Sequence, residues 1–314
     1  MATVLLAAGL CCASCGCSAP QVSSEPPCCV KESTRSAEEP RTRDAEFPIA
    51  GLSYLGEEVL QFGSSSNVVQ VYRWNDIAVR LGDGPLWTAP DVEFVRVATS
   101  RSFGVSGPGG PAEGDTNVPA IRGSVRGLLV ARTEVTARVW LAGGGSVEAL
   151  DSGVGDPAEG RFAAAGLPFA ELLDWCDRNR VRLPTEEEWS MFCACDQEED
   201  HCIGVDNYGV SEYAWSLESS MLNQLPVACL MPSYNGLYDV HGGVWELVEW
   251  DSPIRERAEG LELKRRTQWT YAGKGGSFAV GLDSCSASRR GPVTLRRGGR
   301  IRFDIGFRVV RSVE

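Results

Sequence analysis

Apolar residues in this chain come in short runs, each interrupted by Gly, Pro, Asn or Asp. The chain holds 35 Gly and 17 Pro among 314 residues, and these two residues are the strongest local breakers of regular structure. One segment stands apart. After Leu167-Pro168, residues 169–179 place Phe169, Leu172, Leu173 and Cys176 on one face at helical spacing. Elsewhere helices and strands are predicted to be short, with aromatic residues recurring among Gly, Asn and Asp, so the expected class is α+β and rich in loops. No internal repeat and no low-complexity core segment is present. At this length one large domain or two small ones can bury a substantial core.

Along the chain, residues 68–72 and 77–81 alternate apolar and polar side chains and read as strands. The stretch 48–90 is therefore a short β-rich appendage or the first strands of the main domain. Residues 92–97 and 102–105 read as a hairpin entering that domain, followed by a Gly/Pro-rich surface loop over 107–119. Residues 127–134 read as a strand leading into a short helix over 135–141, and residues 143–160 as loop. At Arg182-Leu-Pro-Thr-Glu-Glu-Glu-Trp189, Thr185 and Glu188 stand three apart in the spacing of a capping box, which starts a further helix.

Charge and histidine content exclude whole function classes. With Lys+Arg at 30 against Asp+Glu at 42, the net charge is −12, which leaves no global basic footprint for nucleic acid. Only His201 and His241 exist. They cannot build a three-His zinc site, nor a two-His-one-carboxylate iron centre with a further catalytic His. Most nucleophile–His triads would have to use one of these two.

The first 17 residues form an apolar, Cys-rich run too short to span a bilayer as a helix. It ends in small residues and resembles a lipoprotein export signal around Cys15, although no Lys or Arg precedes it. Export to the envelope or medium, with a lipid anchor as the sole membrane contact, is one reading; the other is a Cys-rich leader on a cytoplasmic protein. Residues 18–47 have the composition of a flexible linker. Of 12 cysteines, six lie within residues 11–29, and the rest are Cys176, Cys193, Cys195, Cys202, Cys229 and Cys285. An exported chain would allow one or two disulfides, joining the 193–202 cluster to itself or to Cys229.

Six motifs in order then resemble one family. They are Phe94-Val-Arg-Val97, Thr133-Glu-Val-Thr136, the Arg182–Trp189 octet, Asn235-Gly-Leu-Tyr-Asp-Val-His-Gly-Gly-Val-Trp-Glu246, Gly275-Gly-Ser-Phe278 and Gly306-Phe-Arg-Val-Val310. Together they are similar to the signatures of the sulfatase-modifying-factor, or formylglycine-generating enzyme, family over residues 91–312. The resemblance implies a C-type-lectin-like α+β fold with little regular structure. It also implies calcium held by Asp239, Gly242, Val244 and Glu246, a donor set of the oxygen type that calcium takes. Gly243 and Leu247 stand where the family has Asn and often Trp.

Catalytic members of the family carry two cysteines five apart after the Gly-Gly-Ser motif, and this pair binds Cu(I), which suits soft thiolates. Here the second position is Cys285 but the first is Val280, which supplies no lone pair. The reading favoured by the residues is a non-catalytic, calcium-stabilised scaffold that binds a peptide or glycan, with Cys285 a buried or free thiol. The alternative is a copper-dependent oxidase that converts a target cysteine to formylglycine, using Cys285 and Ser277 and a second thiol such as Cys202 or Cys229. Arg289, Arg290, Arg296 and Arg297 read as a solvated face or, in the sharper reading, as a ligand surface for carboxylate or sulfate groups with Trp269 beside them. Arg308 reads as core-paired, and His241 as a solvated or hydrogen-bonded loop residue.

Overall fold

The computed structural model describes residues 49–62, 65–81, 90–97, 127–150, 160–194, 209–250, 271–291, 293 and 299–313. The leader, the linker, residues 102–105, the 107–119 loop, His201, Cys195, Cys202, Trp269, Arg296 and Arg297 lie outside them. Among the described residues no helix is long and apolar enough to cross a membrane.

Two long strands open the fold, β1 (Leu52–Phe62) and β2 (Ser65–Trp74). β2 pairs in turn with β3 (Glu93–Val97), so Gln70–Arg73 face Glu93–Arg96 in antiparallel register. With β4 (Leu128–Ala131) and, from the far C-terminal end, β10 (Val310–Ser312), they form a five-stranded antiparallel sheet in the order β1-β2-β3-β4-β10. Of the two readings of 48–90, the strands belong to the main sheet. Arg132 fastens the first strand from inside, donating to Glu58 at 2.9 Å and Glu93 at 3.0 Å with all three side chains buried.

Residues 77–81 are not a strand. They complete a helix, α1 (Asn75–Leu81), that buries the adjacent Ile77 and Ala78. Asp76 sits in its first turn and Arg80 in its last, which complements the helix dipole. Over five residues the alternating pattern fits either structure, and packing decides.

The remaining helices are short. α2 (Ala137–Ala142) is capped by Thr136, whose hydroxyl accepts from Val139 N–H. α3 (Phe169–Arg178) buries Phe169, Leu172, Trp175 and Cys176, with Leu173 only partly covered. α4 (Glu186–Ala194) has the expected box: Glu188 N–H donates to Thr185 Oγ1 at 3.1 Å and Thr185 N–H to Glu188 Oε2 at 2.9 Å. Between helices and sheet lies an aromatic core in which Trp140 stacks on Trp175 at 5.7 Å and Phe307 meets Trp175 edge-on at 5.6 Å. Both indoles are satisfied, Trp175 by Trp140 O and Trp140 by Ser146 O, each at 2.9 Å.

The second half is looser. β5 (Ala214–Trp215) pairs in parallel with β6 (His241–Gly242), and between them runs α5 (Leu217–Ser220). A three-stranded sheet, β8 (Tyr271–Lys274), β7 (Trp245–Glu249) and β9 (Ile305–Gly306), is antiparallel on one side of β7 and parallel on the other. It carries Glu246 and leads to Arg308, which organise the interior.

Candidate functional site

Of the expected calcium ligands, Glu246 is held by a guanidinium. β7 and β9 run in register so that Glu246 lies opposite Gly306, which places Arg308 two residues on beside it. Arg308 Nη2 donates to Glu246 Oε1 at 2.6 Å and Nε to the same oxygen at 2.9 Å. Its other bonds go to Ala131 O at 2.9 Å and Tyr238 O at 2.7 Å. The second oxygen of Glu246 accepts from the Trp189 indole at 2.7 Å. Both side chains are fully buried.

Asp239, at a left-handed φ of +54°, uses Oδ2 to accept from Ala228 N–H at 2.6 Å. Its Oδ1, like Glu134 Oε2 nearby, is buried with no hydrogen-bond partner among the described residues. Burial pushes the Asp239 carboxyl up to about 6, against the Ala228 N–H and the Arg308 charge. Burial and then the neighbouring Asp239 push Glu134 well up. The glycines of the motif are required sterically. A Cβ at Gly242 (φ +81°) would overlap the Trp215 carbonyl, and one at Gly243 (φ +64°) would lie 2.6 Å from Glu134 Oε1. Glu134 therefore fills the space that a side chain at position 243 would need.

As the side chains stand, Glu246 has no oxygen free for a calcium ion. Both Glu246 oxygens are taken, and a cation already sits against them. Among the described residues, no group of three His, Cys, Asp or Glu is placed to hold a metal. His241 is buried, not solvated, with its Nε2 at 3.8 Å from Cys193 Sγ.

The segment after β8 holds the expected catalytic positions. Val280 is partly buried and packs on the aromatic core. Cys285 is fully buried. Gly276 (φ +88°) lies so close that a Cβ there would fall 2.6 Å from Cys285 Cα and 2.7 Å from its sulfur. Burial pushes the Cys285 thiol up to about 12, only partly offset by the Ser277 N–H. Ser277 donates to Asp304 Oδ2 at 3.0 Å and accepts from Ala279 N–H at 3.2 Å, while Arg302 pairs with the same Asp304. Cys176, Cys193, Cys229 and Cys285 are not joined to one another. These donors do not fit a two-coordinate Cu(I) thiolate pair.

Of the expected ligand surface, Arg289 is exposed. Arg290 points inward, bonded to Glu186 at 2.8 Å and stacked 5.0 Å from the Trp250 ring centroid. Lys274 shares Glu186 from the buried side at 3.5 Å. Trp245 is buried.

Sequence reasoning passed over α5 and the turn after it. Leu217 at its start and Met221 and Leu222 just beyond its end are exposed, and Met221 and Leu222 both have left-handed backbone. Nothing in the residue types signalled it, because Met and Leu are ordinarily helix formers.

The profile of the Sulfatase-modifying factor enzyme 1-like domain matches residues 154–313. Among solved structures, Treponema denticola variable protein 1 is similar at 16% identity with a TM-score of 0.51, covering 81% of this chain and 98% of that one. PvdO from Pseudomonas aeruginosa is similar at 18% identity with a TM-score of 0.53, covering 70% of this chain and 94% of that one. At such identities the likeness is one of fold. Comparison with curated proteins finds no match.

Proposed function

The chain belongs to the sulfatase-modifying-factor family, and on that footing we propose that it is a non-catalytic member acting as a binding scaffold for a peptide or glycan. The observation that carries this reading is the state of the catalytic segment. At position 280 the side chain is a hydrocarbon held against the core. At position 285 the thiol is buried, with its titration pushed up to about 12. Thiolate, not thiol, is the metal ligand and the nucleophile, so burial works against Cys285 in both roles.

The rest of the interior supports the same reading. Ser277, Asp304 and Arg302 are bonded to one another, leaving the serine hydroxyl as a structural donor. The scaffold is held by the buried Arg308–Glu246 pair, which stands where the resemblance implies calcium.

The test is mass spectrometry of a sulfatase-type C-x-P-x-R peptide incubated with purified protein, Cu(I) and O2. The expected result is an unchanged peptide. Appearance of formylglycine would overturn the scaffold reading and mean that Cys285 recruits a second sulfur in space.

A further inference from the structure

The turn that ends α5 carries side chains that folding does not explain. Leu217 opens the helix 39% exposed, and Met221 and Leu222 just beyond it are 80% and 61% exposed. Met221 and Leu222 hold φ values of +52° and +62°, a region that bulky L-residues rarely enter because Cβ crowds the backbone. Glycine or asparagine at both positions would relieve the backbone and take two apolar side chains out of water. The chain has Met-Leu instead.

Such strain persists only where the surroundings fix it, and it gathers at ligand clamps. The surroundings here do fix it. Leu217 N–H donates to Val280 O at 2.8 Å, Ser220 Oγ to Phe278 O at 2.8 Å, and Asn223 N–H to Ser220 O at 3.0 Å. Phe303, 40% exposed, borders the same Phe278 with ring centroids 5.9 Å apart.

The rim is acidic. Glu218 is exposed on this turn and accepts from Ser216 Oγ at 2.7 Å and Leu282 N–H at 3.1 Å. Both donors are neutral and bring no positive charge to it. Asp283, next to Leu282, is exposed as well, whereas the nearby Arg302 is held by Asp304.

We infer that the α5 turn is a docking site for a peptide segment of a partner protein, one that presents bulky apolar side chains beside Lys or Arg. This rests on the binding-scaffold reading and gives it a place and a ligand chemistry: apolar contact with Leu217, Met221 and Leu222, and charge complementarity with Glu218 and Asp283.

The experiment is fluorescence anisotropy with labelled hexapeptides that place Phe, Leu, Ile or Met before Arg or Lys. It compares the wild type with the Met221→Gly/Leu222→Gly double variant, whose fold is checked by circular dichroism and melting. The expected result is saturable binding that weakens about tenfold or more in the double variant, the scale of lost hot-spot contacts, and weakens also when Arg and Lys of the peptide become Glu. The inference is overturned by peptides that do not bind, by binding unchanged in the double variant, or by acidic peptides binding equally well. A glycan whose binding disappears in the double variant overturns it too, since the surface then serves another ligand class. The formylglycine assay reads a different part of the molecule. Unbound peptides with no formylglycine sink this inference alone, and formylglycine sinks the scaffold reading whatever the anisotropy gives.

Discussion

In the segment from Gly275 to Cys285, Ser277 and Cys285 are buried. Ser277 is held by Asp304, and Cys285 is wedged under Gly276. The α5 turn lies against this segment through the Leu217–Val280 hydrogen bond. There, Met and Leu stand in water on a left-handed backbone. Packing accounts for Ser277 and Cys285 and works against Met221 and Leu222. On the proposed reading, the positions that correspond to the catalytic pair of relatives pack against the interior, and the adjacent surface is where a partner would dock.

The comparison breaks most directly at Arg308. If the interior is a closed, self-satisfied network, removing its cation must be costly, because Glu246 then stays buried without its partner. Arg308→Met is expected to destabilise by about 3–5 kcal/mol, the cost of leaving one member of a buried pair alone. Urea unfolding of wild type and variant measures it. A loss below about 1 kcal/mol would mean that water or another cation reaches Glu246, and the interior would no longer count as closed.

Gly276→Ala probes the catalytic segment itself. The new methyl meets Cys285 Cα at 2.6 Å, which is backbone and cannot rotate away, at a φ of +88°. Overpacking and left-handed strain together predict a loss of about 2–3 kcal/mol, read by the same unfolding measurement. A near-neutral outcome would show that the segment has room to move, and Cys285 would then be approachable.

At the α5 turn the sign reverses. Met221→Gly/Leu222→Gly relieves two left-handed residues at about 1 kcal/mol each. Part of that gain is offset because glycine raises the entropy of the unfolded chain. The net expectation is a melting temperature unchanged or raised by a few degrees, together with the loss of peptide binding. A clear destabilisation would mean that Met221 and Leu222 serve the fold after all, and the contrast between the two regions would dissolve.

How much of this was legible in the sequence depends on whether a signal was local. The spacing of Phe169, Leu172 and Cys176 located α3, and the Thr185–Glu188 box located the start of α4, because both are set within one or two helical turns. Trp175 on the same buried face was missed, although its position between Leu172 and Cys176 put it there. Residues 77–81 were misread because five residues fit two periods. Arg308 was readable as core-paired, but its partner Glu246 is 62 residues away, and only the β7–β9 register joins them. The Met221–Leu222 backbone left no trace, since the flanking residues Leu217 and Ser220 are tied to residues 280 and 278, about 60 positions away.

The smallest effect is expected from calcium. A ligand that binds only the folded state at 100 times its dissociation constant stabilises by about 2.7 kcal/mol, which raises the melting temperature of a domain this large by several degrees. Here Glu246 is closed by Arg308 and Trp189, and Asp239 Oδ1 and Glu134 Oε2 are the unpartnered oxygens left in the cluster. With Glu246 closed, the site keeps only part of the carboxylate charge that holds calcium among carbonyls and waters. Melting curves in excess calcium and in excess EDTA should therefore agree to within about 1 °C. A calcium-dependent rise that Asp239→Ala removes would show that the ion competes with Arg308 for this cluster. The interior would then be the ligand-responsive region, and the α5 turn would lose its claim to be the place where the molecule meets its partner.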